Sequence, residues 1–235
     1  MYNSTTPLTV GVLILRSHTQ FSDISSVDIL AMASTDYLSI LGPNAAPMAP
    51  LVSPMDIVYI TEDGASPLAI TGGAKIVITH SIQNAPKLDI LVVPGPPLDY
   101  VPTEAIKTLI KSTNAAGGHI LSVCSGIIAV APSGVLDGKV GTAPLAMIPT
   151  LRKLYPKVQW NDTRRYEKNE AEGTNGEVWS SGSILDGIDE VAAFVRAHWA
   201  PEIAEPMLYG ASVPERSAEY SKTEKEWGAK LAALA

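Results

Sequence analysis

At 235 residues, 46% apolar and 17% charged, the chain has the length and composition of one large domain with a sizeable core. Its formal net charge of -7 leaves no basic face to neutralise phosphates, so no nucleic-acid partner is expected. No apolar run reaches the ~18 residues needed to cross a bilayer, residues 1–8 lack the basic start of a signal peptide, and a single cysteine fits a reducing, cytoplasmic setting.

The run LTVGVLIL at 8–15 is short and rich in β-branched residues, as expected of a strand buried on both faces. Residues 23–34 read as a loop entering a helix, with Ser25 or Ser26 as N-cap and Val27, Leu30 and Ala31 as the inward stripe. Residues 43–54 are loop-like, 57–60 a strand and 74–80 an edge hairpin strand. LDILVV at 88–93 is a buried strand stopped by Pro94-Gly95-Pro96-Pro97. Helical spacing over 102–112, with Pro102 in the first turn, ends at Gly117-Gly118 and leads into a strand at 119–123. Short helices are expected at 125–131 and 146–155, and short strands at 158–160 and 178–180 around a polar hairpin. Residues 185–198 form the best amphipathic helix, with Ile188, Val191, Ala192 and Val195 on one face. The order implies an α/β domain over 1–200 with a mostly parallel sheet covered on both faces. Residues 201–235, weak in packing signals until 227–234, are expected to pack on the domain or on a partner subunit.

The strongest chemical signal is HILSVCSGII at 119–128. A buried strand ends at Val123 and a helix is expected from Ser125, so Cys124 occupies a nucleophile elbow at the ligand-binding edge of a parallel sheet. A helix start there favours a thiolate, and the Ser125 N–H is available to developing negative charge. The competing reading is that Cys124 is a small buried hydrophobe.

LDILVVPG at 88–95, VCSG at 123–126, GVLDGK at 134–139 and SGSILDGID at 181–189, together with DISSVD at 23–28, resemble in order and spacing the blocks of the DJ-1/PfpI superfamily. The resemblance spans roughly residues 8–199 and is nearest to the branch of isocyanide hydratases and uncharacterised fungal relatives. It implies a flavodoxin-like three-layer sandwich, a homodimer and a catalytic cysteine at Cys124. It also implies that an acidic residue after the first strand touches the sulfur. The matching position is Asp23, which as a protonated acid would donate to the thiolate and shuttle protons. The alternative is that Asp23 or Asp28 only caps the next helix, and Asp28 is taken as surface or structural.

Departures from the family pattern narrow the chemistry. Ser125 follows the cysteine where many members carry histidine, and Ala143 and Pro144 stand where another could sit, which counts against a Cys-His-acid triad and against glyoxalase chemistry. Pro96 replaces a glycine of the usual Pro-Gly-Gly and has no N–H, so an anion must be met by Gly95, Ser125 or a side chain. Ser183 replaces the second glycine of a common Ser-Gly-Gly. His18, on the Asp23 loop, is a candidate substrate contact or a bystander. His80, His119 and His198 show no ligand spacing, so neither a metal nor a cofactor is expected. Trp160, Trp179 and Trp199 read as core or interface. The expected function is a cysteine-dependent enzyme acting on a small electrophile, isocyanide hydratase-like or a related lyase, hydratase or isomerase of secondary metabolism. A glyoxalase or deglycase, or a non-enzymatic redox sensor, is the alternative.

Overall fold

The computed structural model describes residues 2–233. Seven strands form one sheet: β1 (Leu8–Leu13), β2 (Met55–Thr61), β3 (His80–Ser81), β4 (Ile90–Val93), β5 (His119–Ser122), β6 (Tyr166–Asn169) and β7 (Val178–Ser181). Their order is β6-β7-β5-β4-β1-β2-β3; β6 runs antiparallel to β7 and every other pairing is parallel. The flavodoxin-like α/β sandwich is thus the fold of this chain.

The apolar strands are buried because helices cover both faces. Around the sheet lie α1 (Phe21–Ile24), α2 (Ser26–Ala31), α3 (Thr35–Ile40), α4 (Glu104–Ala115), α5 (Ile127–Val130), α6 (Ile148–Leu154), α7 (Ile184–His198), α8 (Pro201–Gly210) and α9 (Lys222–Ala232). Alternate residues of one strand serve opposite layers. Val10, Val12, Ile90, Val92 and Leu121 pack with Leu30 of α2, Phe194 of α7 and Ile203 of α8. Leu13, Leu91, Val93 and Ile120 pack with Ile106 and Ile110 of α4, Ile127 of α5 and Ile148 of α6.

Several local expectations change. Residues 43–51 form a 3-10 helix rather than a loop. The 74–80 segment divides: Lys75–Ile76 pairs antiparallel with Leu68–Ala69, while His80 begins β3. The helix α4 starts after Pro102, at a Thr103 cap whose Oγ1 accepts from the Ile106 N–H at 3.3 Å. Ser25 stands at the N-cap of α2 without a side-chain capping bond; its hydroxyl donates instead to Ser22 O at 2.6 Å. The helix expected at 125–131 is broken into a 3-10 turn (Cys124–Gly126), one turn of α5 and a second 3-10 turn at Pro132.

The C-terminal segment packs on its own domain. Ile203, Ala204, Met207 and Leu208 of α8 enter the core. Arg165 makes a two-pronged contact to Glu224 of α9 at 2.6 and 2.8 Å, and Tyr220 Oη donates to Asp186 at 2.8 Å. Sequence periodicity understates this tail because Pro206 sits inside α8, where a helix is not expected to continue, and α9 is held by the Glu224 charge pair. Leu234 and Ala235, the end of the expected docking segment, lie outside the described residues. Among the described residues no helix is long and apolar enough to cross a membrane.

Candidate active site

The strand β5 delivers Cys124 to the C-terminal edge of the sheet, where the chain must turn abruptly into α5. The turn is made with Cys124 at φ +55°, a region that L-residues rarely occupy. Holding a non-glycine residue there costs on the order of 1–3 kcal/mol, so the surrounding packing must impose it. Gly126 is part of that packing: a Cβ at this position would overlap the Val93 carbonyl oxygen at the end of the neighbouring β4. The elbow inferred from the sequence is therefore present, with the sulfur half-buried.

Asp23 reaches the sulfur from α1. Its side chain is 1% exposed, and the carboxyl and the thiol each shift the other's ionisation. Oδ2 accepts the Gly95 N–H at 3.2 Å, whereas Oδ1 is buried with no hydrogen-bond partner. One carboxylate oxygen is thus held and the other has a free lone pair. Burial raises the Asp23 pKa to about 6, against smaller lowering effects of the Gly95 N–H and of Cys124.

The thiol does not have the depressed pKa expected from a helix start. Burial first, then the Asp23 negative charge, push it up to about 12, and the opposing donors on Ser125 are weaker. The physical reason is that α5 is a single turn behind a 3-10 turn and has little dipole to offer, while an acidic group faces the sulfur. Burial thus drives both groups toward their protonated forms, and the Asp23 charge adds to the effect on sulfur.

Of the two candidate anion donors, only the Gly95 N–H is committed within the site. The Gly95 N–H serves Asp23, and the Ser125 hydroxyl donates to Pro96 O at 2.8 Å. A Cβ on Gly95 would fall 2.6 Å from Asp23 Oδ2 and against Ser125 Oγ, so only glycine lets the Pro94–Pro97 loop close over the pair. Ser125 N–H remains directed at the sulfur. His18 is exposed; its backbone N–H donates to Ala69 O, and no hydrogen bond ties its ring to Cys124 or Asp23. Ala143 is fully buried, with no imidazole in its place. An apolar cavity of about 410 Å³, lined in part by Tyr100, Val101, Ile128 and Met147, begins one turn beyond the elbow.

Two features were not legible in the sequence. Glu190 of α7 is fully buried behind the end of β5, where its Oε2 accepts from Ser181 Oγ at 2.6 Å and burial raises its pKa well above the carboxylate range. In the sequence it is one polar residue on an amphipathic helix. At the opposite edge of the sheet, His119 and His198, which lack ligand spacing in the chain, are brought together around Glu177. The fold alone supplies that proximity.

Residues 46–185 match the model of the DJ-1/PfpI family. No curated protein sequence matches the chain. Among solved structures, Drosophila melanogaster DJ-1beta is similar at TM-score 0.67 with 16% identity, over 89% of this chain and 100% of that one. A ThiJ/PfpI family protein from Pseudomonas syringae is similar at 0.66 with 14% identity, over 98% and 91%. An AraC family transcriptional regulator from Pseudomonas putida is similar at 0.66 with 16% identity, over 87% and 100%. At these identities the likeness concerns the fold.

Proposed function

This chain belongs to the DJ-1/PfpI family, and on that premise we propose that it is a cysteine-dependent enzyme that hydrates a small electrophilic carbon, an isocyanide being the substrate class its site fits best. The observation that carries the reading is the pairing of Cys124, presented on a positive-φ elbow, with a buried Asp23 carboxylate that has one free oxygen. A thiol with pKa about 12 is a poor nucleophile unless a base takes its proton during attack, and Asp23, ionised above pH 6, is that base.

In the proposed reaction the sulfur bonds to the terminal carbon of R–NC while Asp23 Oδ1 takes the thiol proton and passes it to the same carbon. The product is a thioimidate, R–N=CH–S–Cys124. Asp23 then deprotonates water as it adds to that carbon. Collapse breaks the C–S bond, returns a proton to sulfur and releases the N-substituted formamide, the nitrogen having gained the other proton. The first addition creates no oxyanion, which agrees with a site whose Gly95 N–H is already held by Asp23 and whose Ser125 N–H faces the sulfur. Glyoxalase chemistry would need a histidine and free donors for an alkoxide. A homodimer, as in the resemblance, belongs to the same proposal.

The test is a panel of aliphatic and aromatic isocyanides followed by formamide release. Wild-type protein is expected to turn over at least one member and to show a thioimidate mass increment on Cys124, and Cys124→Ser to show neither. Formamide release that persists in Cys124→Ser would overturn the proposal. So would an inert panel combined with peroxide-driven mass gain at Cys124, the signature of a sensor.

A further inference from the structure

The cluster at the far end of β5 has the composition of a metal site. His119 is the first residue of β5, Glu177 immediately precedes β7, and His198 is the last residue of α7. They lie about 16 Å along the strand from Cys124, at ~3.3 Å per residue, on the opposite edge of the sheet. His198 Nε2 stands 2.8 Å and His119 Nδ1 3.6 Å from one oxygen, Glu177 Oε2, and the three ligand atoms lie within 4.8 Å of one another. A divalent ion about 2.0–2.1 Å from two imidazole nitrogens and a carboxylate oxygen holds those donors about 3.3 Å apart in tetrahedral geometry. The existing spacings bracket that value.

The surroundings fix these side chains much as outer partners fix the ligands of a metal site. Glu177 is buried, with Trp179 Nε1 donating to Oε2 at 2.8 Å and Lys168 Nζ 3.0 Å from Oε1. The His198 ring is stacked on Tyr2 with centroids 5.4 Å apart, and the Phe194 ring packs on it with centroids 4.2 Å apart. Binding exchanges two internal hydrogen bonds, His198 to Glu177 Oε2 and Glu177 N–H to His119 Nδ1 at 3.2 Å, for coordinate bonds. That exchange and the Lys168 charge both weaken the binding.

We infer that His119, Glu177 and His198 bind a first-row divalent cation such as Zn2+ through two nitrogens and one oxygen, with water completing the coordination. Nitrogen and carboxylate donors without a thiolate suit Zn2+, Ni2+ or Cu2+ rather than Mg2+ or Cu+. The ion would clamp β5, β7, α7 and the N-terminal segment, whose Tyr2 N–H already donates to His198 O at 2.9 Å.

The test is calorimetric titration of chelator-treated full-length protein with Zn2+, together with the visible spectrum of its Co2+ form. The expected result is one equivalent bound, affinity lowered at least tenfold in His198→Asn and His119→Gln, and unchanged affinity in Cys124→Ser. Cobalt is expected to give ligand-field bands without the near-ultraviolet sulfur charge transfer. No saturable binding, binding unaffected by His198→Asn, or binding lost in Cys124→Ser would each overturn the inference. His198→Asn retains a polar group facing Glu177. Should either histidine variant unfold, the cobalt spectrum of the wild-type protein decides between histidine and thiolate ligation.

Discussion

Asp23→Asn is expected to cut isocyanide turnover by about 10²- to 10⁴-fold, the usual worth of a positioned general base. The amide has nearly the shape of the carboxylate and can still accept the Gly95 N–H, so the elbow and the loop over it should keep their geometry. What is lost is the basic oxygen that removes the thiol proton. Because the Asp23 pKa is raised to about 6, kcat/KM of the wild-type enzyme should climb as pH rises through 6 and then level off. In the variant that limb should be absent. An unchanged rate, or an acid limb that survives the substitution, would show that another group is the base.

The same substitution is expected to stabilise the folded protein at pH 7 by on the order of 2–3 kcal/mol. Burial raises this carboxyl from 3.8 to about 6, so the folded state holds the proton more tightly than the unfolded chain. Below pH 3.8 both states are protonated and the site costs nothing. Between 3.8 and 6 the unfolded chain ionises first, and stability falls as pH rises. Above 6 the full cost persists, about two units at ~1.4 kcal/mol each. Denaturant melts of the two proteins should therefore coincide near pH 3.5 and separate by pH 7, with the variant the more stable. A variant that is less stable at pH 7 would mean that the carboxylate is favourably paired in the fold. Activity and stability then oppose one another at one residue, as expected where function requires a buried charge.

Much of this architecture is written in local pattern. The apolar β-branched runs at 8–13 and 90–93 announce buried parallel strands, and the strand-Cys-Ser-Gly order announces the elbow. Asp23 was reachable through family blocks rather than through spacing, since 100 residues of chain separate it from the sulfur. The ionisation of the pair is not legible in the sequence, which reveals that a helix follows the cysteine but not that it is one turn long, nor that the half-buried sulfur faces a carboxyl group. Only the coordinates show the Gly95 N–H spent on Asp23 and the Ser125 hydroxyl on Pro96, with the Ser125 N–H left facing the sulfur. His119, Glu177 and His198 belong to the same class of information: three elements distant in sequence meet at one sheet edge.

The proton shared by Cys124 and Asp23 is best followed through the rate of Cys124 alkylation by iodoacetamide as a function of pH, in wild type and in Asp23→Asn. With the carboxylate in place the reaction should be slow at pH 8 and still rising far above it, since the thiol titrates near 12. Removing the neighbouring negative charge should lower the thiol pKa, so the variant should alkylate faster at pH 8–9 although its turnover is lost. Slower alkylation of the variant would mean that Asp23 stabilises the thiolate, and a sulfur-held proton beside an ionised carboxylate would be ruled out.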